Sequence, residues 1–122
     1  MKKVQVDVYN QEILVFGSER DFRKWMKKNP IQDQEEMEER INTCSGLAGI
    51  LCTEKDGVAR WFIFLEESDL STLSHEAVHV SYMMLELVGV EHDAQNHEAL
   101  AYLQGYIFKE VAQVLKLPTL FD

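Results

Sequence analysis

The sequence predicts an α+β fold in which a small antiparallel sheet packs on two long C-terminal helices. In the first half of the chain, short apolar segments come in two pairs, each pair separated by turn-forming residues, as expected for two β-hairpins. From about residue 71 onward, apolar residues recur instead at helical spacing. The 122 residues fit one domain, residues 1–122, that can bury a core without disulfides. The predicted order of elements is ββαββαα.

The first predicted hairpin joins residues 3–8 to residues 12–16, which alternate or run apolar on either side of Tyr9-Asn10-Gln11. Asparagine is common where a turn requires an unusual backbone conformation, so Asn10 is expected in the turn. Gly17 then ends the second strand.

A helix is predicted next. Ser18, followed three residues later by Asp21, resembles a capping box, and the Asn29-Pro30 pair ends the helical pattern. Residues 32–40 are mostly charged and polar, and they are compatible either with a short exposed helix or with a mobile connection.

The second predicted hairpin joins residues 47–52 to residues 58–65, and the Asp56-Gly57 pair between them is a strong turn signal. We expect the strands of this hairpin to be central in the sheet. A long helix is then predicted from Ser71, a plausible N-cap, to residue 88, with Gly89 in the left-handed position that often ends a helix.

The last predicted helix runs from about residue 94 to residue 116, with Pro118 beyond its end. Ala101 and Gly105 are small and lie four residues apart, which favours a close approach of this helix to the preceding one. The expected apolar face consists of Leu100, Leu103, Ile107, Val111, Val114 and Leu115.

Composition excludes several classes of protein. The net charge of −9 repels nucleic acid and favours neutral or cationic partners. No apolar run is long enough to span a membrane, and the alternating pattern after Met1-Lys2-Lys3 does not resemble a signal peptide. The two cysteines, Cys44 and Cys52, are therefore expected to be reduced thiols of a cytoplasmic protein. The sequence leaves the oligomeric state unknown.

The pattern His75-Glu76-Ala77-Val78-His79 lies within the first long helix and has the form H-E-x-x-H. Histidines four residues apart lie on one helical face, so both imidazoles can bind one metal ion. The carboxylate of Glu76 lies beside such a metal, where it can accept a proton from bound water. The pattern predicts a zinc site on His75 and His79 with Glu76 as a catalytic base.

A catalytic zinc site usually has a third protein ligand, for which Glu98 is the first candidate. Glu98 is expected near the start of the last helix, which a short connection brings back beside its neighbour. His97, His92 and Asp93 can also bind zinc chemically and remain alternatives. Tyr102, one turn beyond Glu98, is a candidate hydrogen-bond donor to a catalytic oxyanion or a ligand, although a tyrosine there is more often part of the core.

The motif at 75–79, together with Asn96-His97-Glu98-Ala99-Leu100-Ala101-Tyr102, resembles the gluzincin pattern of zinc metallopeptidases. The resemblance covers about residues 71–106 and implies a zincin-like domain with zinc on His75, His79 and Glu98 and with Glu76 as general base. In its small size and its preceding hairpin, the chain also resembles short H-E-x-x-H proteins of bacteriophages and prophages. Unlike the larger peptidases, the 122 residues are expected to form one domain, without a second domain to complete a cleft.

Two classes of function follow from the sequence. The first is a zinc-dependent peptidase-like hydrolase whose peptide or protein substrate adds to an edge strand of the second hairpin, with residues 58–65 as the candidate strand. Thiol ligation by Cys52, similar to peptide deformylases, is a weaker enzyme alternative. The second class is a catalytically silent binding module that contains zinc, such as a phage protein that binds a host factor. A closed site with His92, Asp93 or His97 as fourth ligand favours this second class.

Overall fold

The computed structural model describes residues 1–91, 93–95 and 97–118. These residues form four strands and four helices, and a 3-10 turn at Asp7–Tyr9 joins the first two strands. In chain order the elements are β1 (Lys2–Val6), β2 (Gln11–Phe16), α1 (Glu19–Lys28), α2 (Gln34–Thr43), β3 (Gly46–Cys52), β4 (Ala59–Leu65), α3 (Leu70–Leu87) and α4 (His97–Val114). The predicted α+β class is confirmed, and the predicted order ββαββαα holds with one further helix, α2, between α1 and β3.

The four strands form one sheet in the order β1-β2-β4-β3. Both hairpins are antiparallel as predicted, and Asn10 has the left-handed conformation expected in the first turn, with φ of 51°. The sheet as a whole is not antiparallel, because β2 and β4 pair in parallel. Local turn signals specify the pairing within each hairpin, whereas the pairing between hairpins depends on how the intervening helices return the chain.

Helices cover both faces of this sheet, and not only the face under the two C-terminal helices. Side chains of β2 and β4 alternate between the faces, so Ile13 and Ile63 contact the core beneath α3 and α4. Phe16 and Phe62 lie in a second core beneath α1 and α2. Since both faces are buried, the two central strands are nearly continuous apolar runs.

The structure shows how α1 begins and that the next segment is a helix. The Ser18 side chain accepts a hydrogen bond from the Asp21 backbone N–H at 3.1 Å, which confirms the predicted N-cap. Phe22 of α1 stacks on Phe16 with 4.4 Å between ring centroids. Of the two interpretations of residues 32–40, the helix is correct, and α2 is anchored by the buried Ile41.

The N-cap of α3 is Asp69, and the prediction of Ser71 was wrong. The Asp69 carboxylate accepts hydrogen bonds from the Thr72 backbone N–H at 2.7 Å and from the Thr72 hydroxyl at 3.0 Å. Leu70, which directly follows Asp69, already belongs to the helix and packs against the core, so the cap lies two residues earlier than predicted. At the other end Gly89 has φ of 82°, as expected for a left-handed C-cap.

Helix α4 buries Leu103, Ile107 and Val111 against α3 and the sheet. The predicted close approach at Gly105 was wrong, because no described residue outside the adjoining helix backbone has an atom within 4 Å of the position that a Cβ would occupy there. None of the helices in the described part of the chain is long and apolar enough to cross a membrane.

Candidate metal centre

The two motif histidines lie next to each other on the exposed side of α3. Their Nε2 atoms are 3.1 Å apart, and the ring centroids are 4.7 Å apart with an interplanar angle of 77°. Buried residues of α3 such as Ala77 and Val80 face the sheet, so His75 and His79 one turn apart are left at the solvent side. Both imidazoles therefore point one nitrogen toward the same point.

This geometry is compatible with a shared metal ion. Two nitrogens that each lie about 2.05 Å from a tetrahedral zinc ion are about 3.3 Å apart, close to the observed separation. One candidate ligand atom from each of His75, Glu76 and His79 lies within 4.8 Å of the others. A hydrogen bond between a protonated and an unprotonated imidazole nitrogen also fits 3.1 Å, so the distance alone does not distinguish the two arrangements.

Glu76 differs from the histidines because its side chain is only 7% exposed. Its Oε1 lies 3.9 Å from His75 Nε2, and its buried Oε2 has no hydrogen-bond partner among the described residues. Desolvation raises the pKa of this carboxyl, against the opposing effects of His75, His79 and Arg40. A buried carboxylate oxygen without a partner is costly, which is expected where a ligand or a proton supplies the missing interaction.

Gly46, the first residue of β3, makes room for this carboxylate. A Cβ at Gly46 would lie 2.7 Å from Thr72 Cγ2, 3.1 Å from Glu76 Cγ and 3.1 Å from the Phe64 carbonyl oxygen. The absence of a side chain thus allows α3 to approach the start of β3. A pocket of about 320 Å³ opens here, and it is lined by Ser45, Gly46, Ser71, Thr72, His75 and Glu76.

The strand beside this pocket is β3, which forms an edge of the sheet. The prediction that residues 58–65 form the accessible edge was wrong, because β4 pairs on one side with β2 and on the other with β3. Farther along the same side of α3, Met83 Cε lies 3.8 Å from the Cβ position of Gly49. Helix α3 therefore follows β3 from Gly46 to Gly49, and the histidines lie at this edge.

Glu98, His97 and Asp93 are not part of the group of candidate ligands around Glu76 among the described residues. Among the described residues that group contains only His75, Glu76 and His79. Glu98 lies in the first turn of α4 as predicted, and its side chain is 68% exposed. Its Oε1 lies 3.7 Å from the Nδ1 of His97. Asp93 precedes α4, and His92 lies outside the described residues. The choice of third ligand remains a prediction.

Tyr102 lies at the opposite side of the molecule. It lines a cavity with residues from the end of β1 and the following 3-10 turn, and it is 76% exposed. Since β1 and β3 are the two outer strands of four, their edges are separated by three strand spacings, about 14 Å. The structure therefore does not bring Tyr102 to the histidines, and we do not include it in the catalytic set.

The sequence did not indicate that two other residues, Arg40 and Gly46, would influence Glu76. Arg40 of α2 acts electrostatically on the Glu76 carboxyl, although the two are distant in the chain. Gly46 follows Ser45, which made it look like an ordinary loop residue before a strand. Contacts between α2, β3 and α3 exist only in the folded chain, so neither role was visible from spacing.

Comparison of the chain with protein families, with curated proteins and with solved structures found no match. The interpretation of the site therefore depends on its own geometry.

Proposed function

We propose that this protein is a zinc-dependent, peptidase-like hydrolase, with zinc bound by His75 and His79 and with Glu98 as the third ligand. The observation that supports it is the buried Oε2 of Glu76, which has no hydrogen-bond partner in the described part of the chain and lies beside two converging imidazoles. A purely structural pair of histidines leaves that carboxylate without a purpose. The nitrogen and oxygen donors are those that zinc prefers in hydrolases.

When bound, a zinc ion lowers the pKa of its water and polarises the carbonyl group of a substrate. Glu76 accepts the proton of the attacking water and passes it to the leaving amine. Its side chain is 7% exposed and packs closely against Gly46 through its Cγ, so the base is largely shielded from solvent. The surrounding protein also keeps bulk water from competing for the proton.

The edge of β3 that begins at Gly46 is the natural place for an extended substrate. The far end of this edge is already occupied, because the Cys52 carbonyl accepts a hydrogen bond of 2.8 Å from the Gln32 backbone N–H. A peptide that adds at the Gly46 end as a further strand lies along α3 and its histidines, with backbone hydrogen bonds supplying sequence-independent affinity. The same edge leads from Gly46 to a second cavity of about 200 Å³ at residues 50–52, whose other wall includes Met37 and Arg40. The net charge of −9 favours neutral or cationic peptides.

A catalytically silent, zinc-containing binding module is the second candidate. It is favoured by the position of Glu98, which is largely exposed and is not part of the group around Glu76. In such a module the metal stabilises a surface that binds a partner protein, and Glu76 has no role in proton transfer.

Replacing Glu76 by Gln separates the two candidates, since glutamine keeps the shape of the side chain and removes the base. We expect Glu76→Gln to retain zinc and to lose about 10²–10⁴-fold in peptide hydrolysis. Glu86→Gln is the matched control, because Glu86 is an exposed carboxylate of the same helix. A peptide library in which the zinc-loaded wild type cleaves nothing would reject the hydrolase in favour of the module.

The third ligand is tested separately by metal affinity. We expect Glu98→Ala to weaken zinc binding strongly, while His97→Ala and Asp93→Ala leave it nearly unchanged. Competition with a chromogenic chelator gives the three affinities. If His97→Ala causes the larger loss, the ligand is the neighbouring imidazole, and the predicted face of α4 is wrong.

A further inference from the structure

A cavity of about 590 Å³ opens at the β1 edge, between the first half of α4 and the 3-10 turn. It is unrelated to the histidine pocket, which lies at the β3 edge. Its wall is mostly apolar and contains three tyrosine rings and one carboxylate, contributed by Tyr9, Tyr102, Tyr106 and Asp7, with Val6 and Leu103 at its base. Its volume is in the range typical of small-ligand sites.

Two of the three rings are held in place by the fold. The Tyr106 hydroxyl donates a hydrogen bond of 2.7 Å to the backbone carbonyl of Gln5, which fixes the ring against β1. Tyr9 packs against the core beneath α4. Tyr102 projects from α4 with 76% of its surface exposed, so it forms the rim of the cavity. A site with fixed rings loses little conformational entropy when a ligand binds.

The charges around the cavity are negative. Among the described residues that line it, Asp7 is the charged one, and no lysine or arginine is present. Desolvation, followed by the carboxylates of Glu110 and Asp7, raises the pKa of Tyr106, which indicates that both carboxylates act on this part of the cavity. An anion is therefore disfavoured here, whereas a cation gains from the carboxylates and from the aromatic faces.

We propose that this cavity binds an organic cation whose charge is surrounded by alkyl groups, such as a quaternary ammonium. Tyrosine faces attract a cation within about 6 Å of the ring centroid, and the apolar wall accommodates its alkyl groups. A bare metal ion is a poorer match, because it requires several oxygen ligands. A neutral apolar molecule makes no use of the carboxylate of Asp7.

The probe is choline, compared with 3,3-dimethylbutan-1-ol, in which an uncharged carbon replaces the ammonium nitrogen. Titration of the wild-type protein, followed by calorimetry and by the shifts of tyrosine ring resonances, measures both affinities. We expect choline to bind about tenfold more tightly than its neutral analogue. A peptide containing trimethyllysine, compared with the same peptide containing lysine, then distinguishes a free cation from a protein side chain as the source.

Substitutions of residues that line the cavity test whether choline binds there. Tyr102→Ala and Asp7→Asn should each weaken choline binding about threefold to tenfold, with thermal unfolding showing that the fold is kept. Tyr82→Ala on α3 and Asp21→Asn on α1 are matched controls away from the cavity and should leave binding unchanged. Equal affinity for choline and its neutral analogue, absence of choline binding, or binding that Tyr102→Ala does not weaken would each overturn the proposal.

Discussion

The two edges of the sheet carry surfaces of opposite chemistry. At the β3 edge, nitrogen and carboxylate atoms of His75, Glu76 and His79 converge within 4.8 Å of one another. At the β1 edge, tyrosine rings such as Tyr102 and Tyr106 surround a wider, mostly apolar cavity of about 590 Å³. The first surface suits a small ion and a polar reaction, and the second suits a larger ligand held by its shape and charge.

The two surfaces also differ in whether the amino-acid sequence reveals them. The polar group comes from a single turn of α3, so its spacing is visible in the sequence. The cavity depends on contacts between distant segments, and the hydrogen bond from Tyr106 to Gln5 joins residues 101 positions apart. A motif is thus informative about a site that one helix can build, and uninformative about one that the tertiary fold assembles.

The largest expected effect concerns the zinc ion proposed at the β3 edge. Wild-type protein should bind about one zinc ion per chain, and His79→Ala should lower that affinity by more than about 100-fold, because even the loss of a residue that only supports a ligand costs about 10–100-fold. Metal analysis measures the number of bound zinc ions, and chelator competition measures the zinc affinity. Tyr102→Ala, at the other edge, should leave zinc binding unchanged, and an equal loss there would contradict the separation of the two sites.

The second prediction compares the stability of two glycine variants, one beside the histidine pocket and one in α4. Gly46→Ala should lower the free energy of unfolding by about 1–3 kcal/mol, because the new Cβ overlaps Thr72 and the Phe64 backbone. Gly105→Ala should raise it by about 0.5–1 kcal/mol, since the new methyl meets no atom and alanine favours the helix. Urea unfolding measures both. Unchanged stability of Gly46→Ala would show that α3 does not need this close approach.

The third prediction concerns the start of α3, next to the histidine pocket. Asp69→Ala should lower the free energy of unfolding by about 1 kcal/mol, because the Thr72 backbone N–H and hydroxyl lose their acceptor. Ser71→Ala is the control and should change stability by less than about 0.5 kcal/mol. Thermal unfolding of the two variants at neutral pH measures the difference. The reverse result would make Ser71 the cap.

The smallest expected effect is a pH dependence at the β3–β4 turn. Hydrogen bonds from Thr53, Arg60 and the Val58 backbone hold the pKa of Asp56 well below its usual range. A carboxyl with a lowered pKa stabilises the fold above its unfolded pKa of about 3.9, and this stabilisation is lost as the pH falls toward the folded value. The wild type should therefore exceed Asp56→Asn in unfolding temperature at pH 7 by more than at pH 2.5. An equal difference at both pH values would contradict this.

Most of the local structure was predictable because its causes are local. Ser18 caps α1 through a backbone N–H three residues away, and Asn10 and Gly89 have the left-handed conformations that their residue types favour. The pairing of His75 with His79 follows from the helical repeat alone. The start of α3 was predicted two residues too late, at Ser71, because the sequence pattern did not show that Leu70 already belongs to the helix.

The sequence by itself determined the helices and strands other than α2, the two hairpins, and the placement of His75, Glu76 and His79 on one turn of a helix. Only the tertiary structure decided that β2 and β4 pair in parallel, that helices cover both faces, and that β3 is the accessible edge. It also separated Tyr102 from the histidines. The physical reason is that helical spacing and turn conformation depend on neighbouring residues, whereas strand order and burial depend on contacts between segments distant in the chain.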